Sequence, residues 1–212
     1  MLDCFTFETA HHFGDVLPSM FRLRQRVFNE QQSYGMPCWK GMEFDQYDTP
    51  AAHYAVWRDD RGTVRGVIRV TPTTLNYMLE DIWPDWVTEM PLPKSTSVWE
   101  ATRCGVDPDL PREDRRRIMA ELVLGYQEMG LMLGLDSFLG VSYPRLWQSC
   151  FEDLGWKLDV VGPTRQIEGK DVVPARMPVS PGVLATIRKR TGVWRPVLRT
   201  ADDLINQRVA AE

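Results

Sequence analysis

Three short stretches of this 212-residue chain set charge among apolar neighbours in ways that chemistry can use. In the first, Arg24 and Phe28 lie one helical turn apart and so share a face. That pair is either a guanidinium held beside a ring or a surface arginine whose stem covers a core phenylalanine. The second, Glu43-Phe44-Asp45-Gln46-Tyr47-Asp48, crowds its carboxylates, which repel one another unless a cation or hydrogen-bond donors lie between them. A site for cationic groups and a solvated acidic loop both fit, and the spacing is not that of an EF-hand calcium loop. The third is Val98-Trp99-Glu100-Ala101-Thr102-Arg103, taken with Arg69. Glu100 and Arg103 interrupt a run otherwise suited to the middle of a sheet, where an unpaired charge is costly. Strict alternation puts the two on opposite faces. A β-bulge between them would bring both to one side, and bulges concentrate near active sites; a structural ion pair remains open.

The elements that must position these residues follow from periodicity and punctuation. A short strand opens the chain at 2–8. From 17 to 32, Phe21, Leu23, Arg24, Val27 and Phe28 recur at helical spacing. Residues 33–50, with Gly35, Pro37, Gly41 and Pro50, read as a long ordered loop, and Tyr34, Trp39, Phe44 and Tyr47 favour a functional role for it. Strand-like runs at 53–58 and 63–71 flank Asp59-Asp60-Arg61-Gly62, a hairpin signal. Pro84, Pro91 and Pro93 punctuate an irregular stretch before a strand at 97–106. Residues 112–133 carry the stripe Ile118, Leu122, Tyr126, Met129 and Leu133 of an amphipathic helix. A buried strand at 136–142, a helix at 144–154 stopped by Gly155, and a strand at 156–161 follow, then one more strand and a helix near 181–190. This order predicts an α/β sandwich around one mixed sheet. Neither a repeat nor a linker divides residues 1–212, so a single domain is expected.

Composition narrows the function. At 43% hydrophobic and 25% charged the chain is ordinary for a globular protein. No apolar run is long enough to span a bilayer. Residues 1–10 hold acidic and no basic side chains, unlike a signal peptide. Cys4, Cys38, Cys104 and Cys150 are far apart, without a CxxC pair and with too few histidines nearby for a zinc cluster. That pattern predicts a reduced, cytoplasmic protein with no metal site. The net charge is −4, and residues 1–110 carry 10 basic and 16 acidic side chains against 15 and 13 in the remainder. So mild an asymmetry argues against nucleic acid as the partner. It leaves room for a local basic patch, densest at Arg112, Arg115, Arg116 and Arg117, facing an acidic partner.

Read in order, several pieces form one pattern. They are Arg24-x-x-Val27-Phe28, Gly41-Met42-Glu43-x-Asp45-x-Tyr47-Asp48, Gly66-x-x-Arg69-x-x-Pro72-Thr73-Thr74, Met78-Leu79 and Val98-Trp99-Glu100-x-x-Arg103. Leu139-Gly140-Val141-Ser142 and Gly155-Trp156 extend it more thinly. The pattern resembles the LuxI-type autoinducer synthases, the acyl-homoserine-lactone synthase family. The resemblance implies a three-layer fold related to the GNAT acyltransferases, with a twisted mixed sheet. It also implies that Arg24, Phe28, Tyr34, Asp45, Asp48, Arg69 and Arg103 bind S-adenosylmethionine. That substrate brings an ammonium, a carboxylate and a sulfonium. Asp45 and Asp48 suit its cationic groups, Arg103 suits a paired clamp on its carboxylate, and Arg69 suits bracing the acidic loop. Glu100, Asp45 and Arg103 are the expected catalytic residues, with Glu100 as general base, directly or through water. The amine would take an acyl group from a thioester, and the carboxylate would then close a lactone and expel methylthioadenosine. Both small molecules are substrates, so no cofactor is expected.

The acyl pocket is expected at Met78, Thr102, Cys104, Gly105, Leu139, Val141 and Trp147. Where the family often has bulky aromatics after Arg103, the small Cys104 and Gly105 would widen that pocket for a branched, aromatic or longer chain. Where members accepting 3-oxo acyl groups carry threonine, Leu139 offers no hydrogen bond, which favours an unsubstituted chain. Tyr34 stands where the family commonly has tryptophan. The donor, acyl carrier protein or acyl-CoA, would dock on Arg112, Arg115, Arg116, Arg117, Arg145 and Lys157. Two other readings stand beside this one. A GNAT-type N-acyltransferase for another amine would share the fold, but its Q/R-x-x-G-x-G/A signature is absent. A silent ligand-binding protein would bind without releasing methylthioadenosine.

Overall fold

In a computed structural model that describes residues 1–32 and 35–210, the expected strand–helix order is present and several short elements are added to it. The strands are β1 (Leu2–Phe5), β2 (Cys38–Trp39), β3 (Met42–Glu43), β4 (His53–Arg58), β5 (Val64–Pro72), β6 (Val98–Val106), β7 (Ser137–Ser142), β8 (Asp159–Val160), β9 (Arg165–Ile167), β10 (Lys170–Pro178) and β11 (Leu198–Arg199). The helices are α1 (Val16–Arg24), α2 (Met78–Ile82), α3 (Arg112–Met132), α4 (Pro144–Leu146), α5 (Pro181–Thr191) and α6 (Ala201–Val209). The result is an α/β fold with a mixed sheet. β1 runs parallel to β11 and antiparallel to β4, while β7 runs parallel to β6 and antiparallel to β10.

The chain forms two compact units, one of residues 1–69, 103–125 and 196–212, the other of 70–102 and 126–195. In the first, the strand order is β11-β1-β4-β5-β6; in the second it is β6-β7-β10-β8, with β9 beside β10. β5 and β6 each belong to both units, and the change falls after Arg69 and before Arg103. The first core gathers Phe5, Phe13, Met20, Leu23, Val27, Tyr54 and Val67 from the α1 side. α3 reaches the strands at Gly66, where an added Cβ would lie 2.7 Å from Ile118. The second core gathers Tyr77, Leu79, Trp86, Leu139 and Val172.

Four expectations are corrected. The loop at 33–50 contains the β2–β3 hairpin, turned by Lys40 (φ 49°) and Gly41 (φ 72°). Positive φ at both turn positions is what a type I′ two-residue hairpin loop requires, and lysine at the first of them hides the signal. The helix at 17–32 is α-helical only to Arg24; Gln25–Gln31 is a wider π-helical segment. The helix at 144–154 likewise passes through a π-helical segment, Trp147–Phe151, before Gly155 (φ 91°) ends it. The strand at 156–161 shortens to β8 because Trp156 is instead fully buried, its indole donating to the Pro178 carbonyl at 2.8 Å.

Candidate functional site

The charged residues of α1, β3, the loop after it, β5 and β6 form one buried ionic network in the first unit. At the end of α1, Arg24 donates from Nε to Glu43 Oε2 at 2.6 Å and from both terminal nitrogens to Asp48 at 2.7 and 2.9 Å. From β5, Arg69 reaches Asp45 Oδ1 at 2.6 Å, Asp45 Oδ2 at 3.1 Å and Asp48 Oδ1 at 2.9 Å. From β6, Arg103 donates to Glu43 Oε1 from Nε at 3.2 Å and from Nη2 at 3.1 Å, and from Nη2 to Asp45 Oδ2 at 2.5 Å. Three guanidinium groups thus face three carboxylates, and no member exposes more than 8% of its side chain. The acidic loop braces itself as well, with the Asp45 N–H donating to Asp48 and the Tyr47 N–H to Asp45.

Local structure explains how the arginines converge. Arg103 has φ 52° in the middle of β6, a left-handed backbone that breaks the pleat as a bulge would. Each guanidinium also lies over a ring: Arg24 over Phe21 at 5.3 Å, Arg69 over Tyr47 at 5.9 Å, and Arg103 over Phe28 at 5.4 Å. The expected partnership of Arg24 with Phe28 is therefore replaced, since the π-helical turn after Arg24 carries Phe28 to Arg103. Arg24 is no surface residue; it is fully buried.

The electrostatics separate the members. Burial pushes the Asp48 carboxyl up, but the bonds from Arg24 and the charge of Arg69 outweigh it and hold it well below the carboxylate range. Asp45 is likewise pushed up by burial and held low overall by Arg69 and Arg103. Arg24 and Arg69 lose to burial but gain more from their carboxylates, and both end above the ordinary guanidinium value. Arg103 does not: burial and the like charges of Arg69 and Arg24 outweigh Glu43 and Asp45, and its value is lowered.

Two members escaped the sequence reading. Glu43, fully buried between Arg24 and Arg103, was visible as part of the acidic stretch but not as the bridge. Tyr54 donates its hydroxyl to Asp48 Oδ1 at 2.8 Å; its place in an alternating strand gave no sign of that. Tyr34 lies outside the described residues.

Glu100 lies in the second unit. It is buried, and its oxygens accept from Leu79 N at 2.7 Å, Met78 N at 3.0 Å and Thr71 Oγ1 at 3.5 Å. Met78, Thr102, Leu139, Val141 and Trp147 belong to the same unit. Trp147 donates its indole N–H to the Val173 carbonyl at 3.0 Å, which sets its ring against Gly140, 3.4 Å from an added Cβ there. Cys104 and Gly105 belong to the first unit, and the widening expected from them is not there. A Cβ on Gly105 would lie 2.8 Å from Val27 and 3.3 Å from Phe28, so the π-helical segment already fills the space. The Cys104 sulfur lies 3.9 Å from that of Met119.

Of the expected docking residues, Arg112, Arg116 and Arg117 are exposed at the start of α3, and Arg115 is half-buried. Arg117 pairs with Asp114 at 3.1 Å and covers Trp57. Arg145 and Lys157 are exposed in the second unit. Among the described residues no group of His, Cys, Asp and Glu could hold a metal ion, and no helix is long and apolar enough to cross a membrane.

Residues 10–197 match the family model for autoinducer synthases. An acyl-homoserine-lactone synthase of Vibrio anguillarum is 35% identical over 91 residues, 43% of this chain and 47% of that one, so the chain spans about half the length of that relative. One from Ralstonia solanacearum is 28% identical over 193 residues, 84% of this chain and 92% of that one. In fold, the chain is similar to the CoA-dependent acyl-homoserine lactone synthase BjaI, solved with SAM and isopentyl-CoA. The TM-score is 0.86 with 22% identity, covering 99% of both chains.

Proposed function

Because the chain belongs to the autoinducer synthase family, we propose that it makes an acyl-homoserine lactone from S-adenosylmethionine and an acyl thioester. The observation that carries the substrate assignment is the buried network itself. A group with an ammonium, a sulfonium and a carboxylate needs both signs of charge held in place, and Arg24, Arg69 and Arg103 with Glu43, Asp45 and Asp48 supply both. Arg103 takes the carboxylate, because a guanidinium can grip a carboxylate through paired N–H bonds. Asp45 and Asp48 face the cationic part, braced by Arg69. Phe28, which lies under Arg103, lines the same substrate.

In the first step the neutral amine attacks the thioester carbonyl. The N–C bond forms, the C–S bond breaks, and the amine proton leaves with the thiol. In the second, the substrate's carboxylate oxygen attacks its own γ-carbon, and the sulfonium leaves as neutral methylthioadenosine. That closure is mainly a matter of a folded-back pose. Likeness in fold to a synthase described with isopentyl-CoA supports acyl-CoA as donor. An acyl carrier protein docking on Arg112, Arg115, Arg116 and Arg117 remains the other source of the same thioester. The reaction needs no cofactor, and its place is the cytoplasm, where both substrates are made.

Incubation with S-adenosylmethionine and a panel of acyl thioesters, read by mass spectrometry, tests this. Lactone and methylthioadenosine in equal amounts are expected. An open-chain amide, acylation of some other amine, or binding without turnover would each overturn the assignment, the second pointing to a general N-acyltransferase.

A further inference from the structure

We propose that Glu100 is a positioning residue on the acyl side of the reaction and not the group that takes the amine's proton. This rests on the synthase reading above. The carboxylate is 2% exposed and is committed to backbone: Leu79 N donates to Oε1 at 2.7 Å and Met78 N to Oε2 at 3.0 Å. Thr71 adds a longer contact to Oε2 at 3.5 Å. These N–H groups open α2, where a helix has no internal acceptors for them. Tyr77, the residue before α2, supplies no side-chain cap. Glu100 therefore reaches from β6 to give a five-residue helix the cap that its own sequence lacks. A helix so short does not hold itself together, so Met78 and Leu79 stand where Glu100 puts them.

What they hold is the apolar wall of the second unit. Leu79 packs in one cluster with Tyr77, Trp86 and Leu139, and Leu139 is the residue of β7 that pairs in register with Glu100. One carboxylate thus fixes α2, which carries the expected acyl residue Met78, onto β6 and its neighbour β7, which carries Leu139. If Glu100 accepted a proton during turnover, it would give up the charge that strengthens both N–H bonds and loosen that wall while it is in use. No dedicated base is required either. α-Amino groups titrate near about 7.7–8.0, and a nearby sulfonium disfavours the ammonium further. Close to neutral pH a useful fraction of substrate is already the free amine, its first proton having passed to solvent.

Two substitutions separate the roles. Glu100→Gln keeps the length and one acceptor oxygen; Glu100→Asp keeps the proton acceptor but is one methylene short of the two N–H groups. Positioning predicts that the Gln variant retains more activity than the Asp variant, by about threefold or more. It also predicts that the acid limb of kcat/KM stays where it is in the Gln variant. The ratio of kcat/KM between the preferred thioester and one two carbons longer should shrink by about fivefold, with KM for S-adenosylmethionine moving less than about twofold. A more active Asp variant, or loss of the acid limb in the Gln variant, overturns the proposal. Amide exchange gives a readout that needs no turnover. In ligand-free Glu100→Gln the Met78 and Leu79 amides should exchange at least about tenfold faster, and unchanged exchange overturns the proposal whatever the activity. Failure of the synthase reading shows separately, as wild-type protein that forms no lactone.

Discussion

The two units handle buried charge in opposite ways. In the first, Arg24, Arg69 and Arg103 are answered by Glu43, Asp45 and Asp48, side chain against side chain. In the second, the one carboxylate of Glu100 is answered by backbone N–H groups and a hydroxyl. The difference decides what each region tolerates. Removing a member of a side-chain network strands its partner's charge in a medium that solvates it poorly. Neutralising a carboxylate held by N–H groups strands no charge; it only weakens hydrogen bonds. The first region is therefore brittle and suits a substrate that carries both signs of charge. The second is a mechanical fixture for an apolar wall.

The largest expected break is Arg24→Met. It leaves Glu43 and Asp48 short of their shared cation, and a loss of about 3–5 kcal/mol in unfolding free energy is expected. Denaturant titration measures it, and a loss below about 1 kcal/mol would erase the contrast with Glu100. Acid comes next. The folded values of Asp45 and Asp48 lie below the ordinary carboxylate value because Arg69, Arg24 and Arg103 outweigh the opposing effect of burial. The stability they contribute is full above about pH 4 and is lost as pH falls through their folded values. Unfolding free energy should thus drop below about pH 4, and Asp48→Asn should flatten that drop; an unchanged slope contradicts the assignment. The smallest effect sharpens the comparison between strand glycines. In Gly105→Ala the new Cβ meets Val27 at 2.8 Å and Phe28 at 3.3 Å, an overpacking that costs about 1–3 kcal/mol. Because Phe28 carries Arg103, KM for S-adenosylmethionine should rise as well. Gly140→Ala, with the Ala101 carbonyl at 3.2 Å, should disturb the thioester's KM instead.

Legibility followed the same division. The stripe of α3 and the β4–β5 hairpin were readable because burial on one face leaves a period that needs no partner to detect. α2 was not readable, because its cap is Glu100, 21 residues from Leu79 along the chain. The β2–β3 hairpin was hidden by Lys40 at a position where glycine or asparagine is usual. The space at Gly105 was misjudged for a related reason. A missing side chain leaves room only if nothing else fills it, and the π-helical turn that fills it has no period of its own to read.

By itself the sequence determined the α/β order and the family that its motifs resemble, and that resemblance grouped Arg24, Asp45, Asp48, Arg69 and Arg103. Residue types at fixed spacings carry that much, because a charge that is costly to bury needs a partner. The tertiary structure alone decided the pairing: Glu43 bridges two arginines, Phe28 serves Arg103 and not Arg24, and Glu100 faces backbone. Pairing is set by backbone conformation, by the left-handed turn at Arg103 and the widened helix after Arg24, and neither leaves a mark in composition or period.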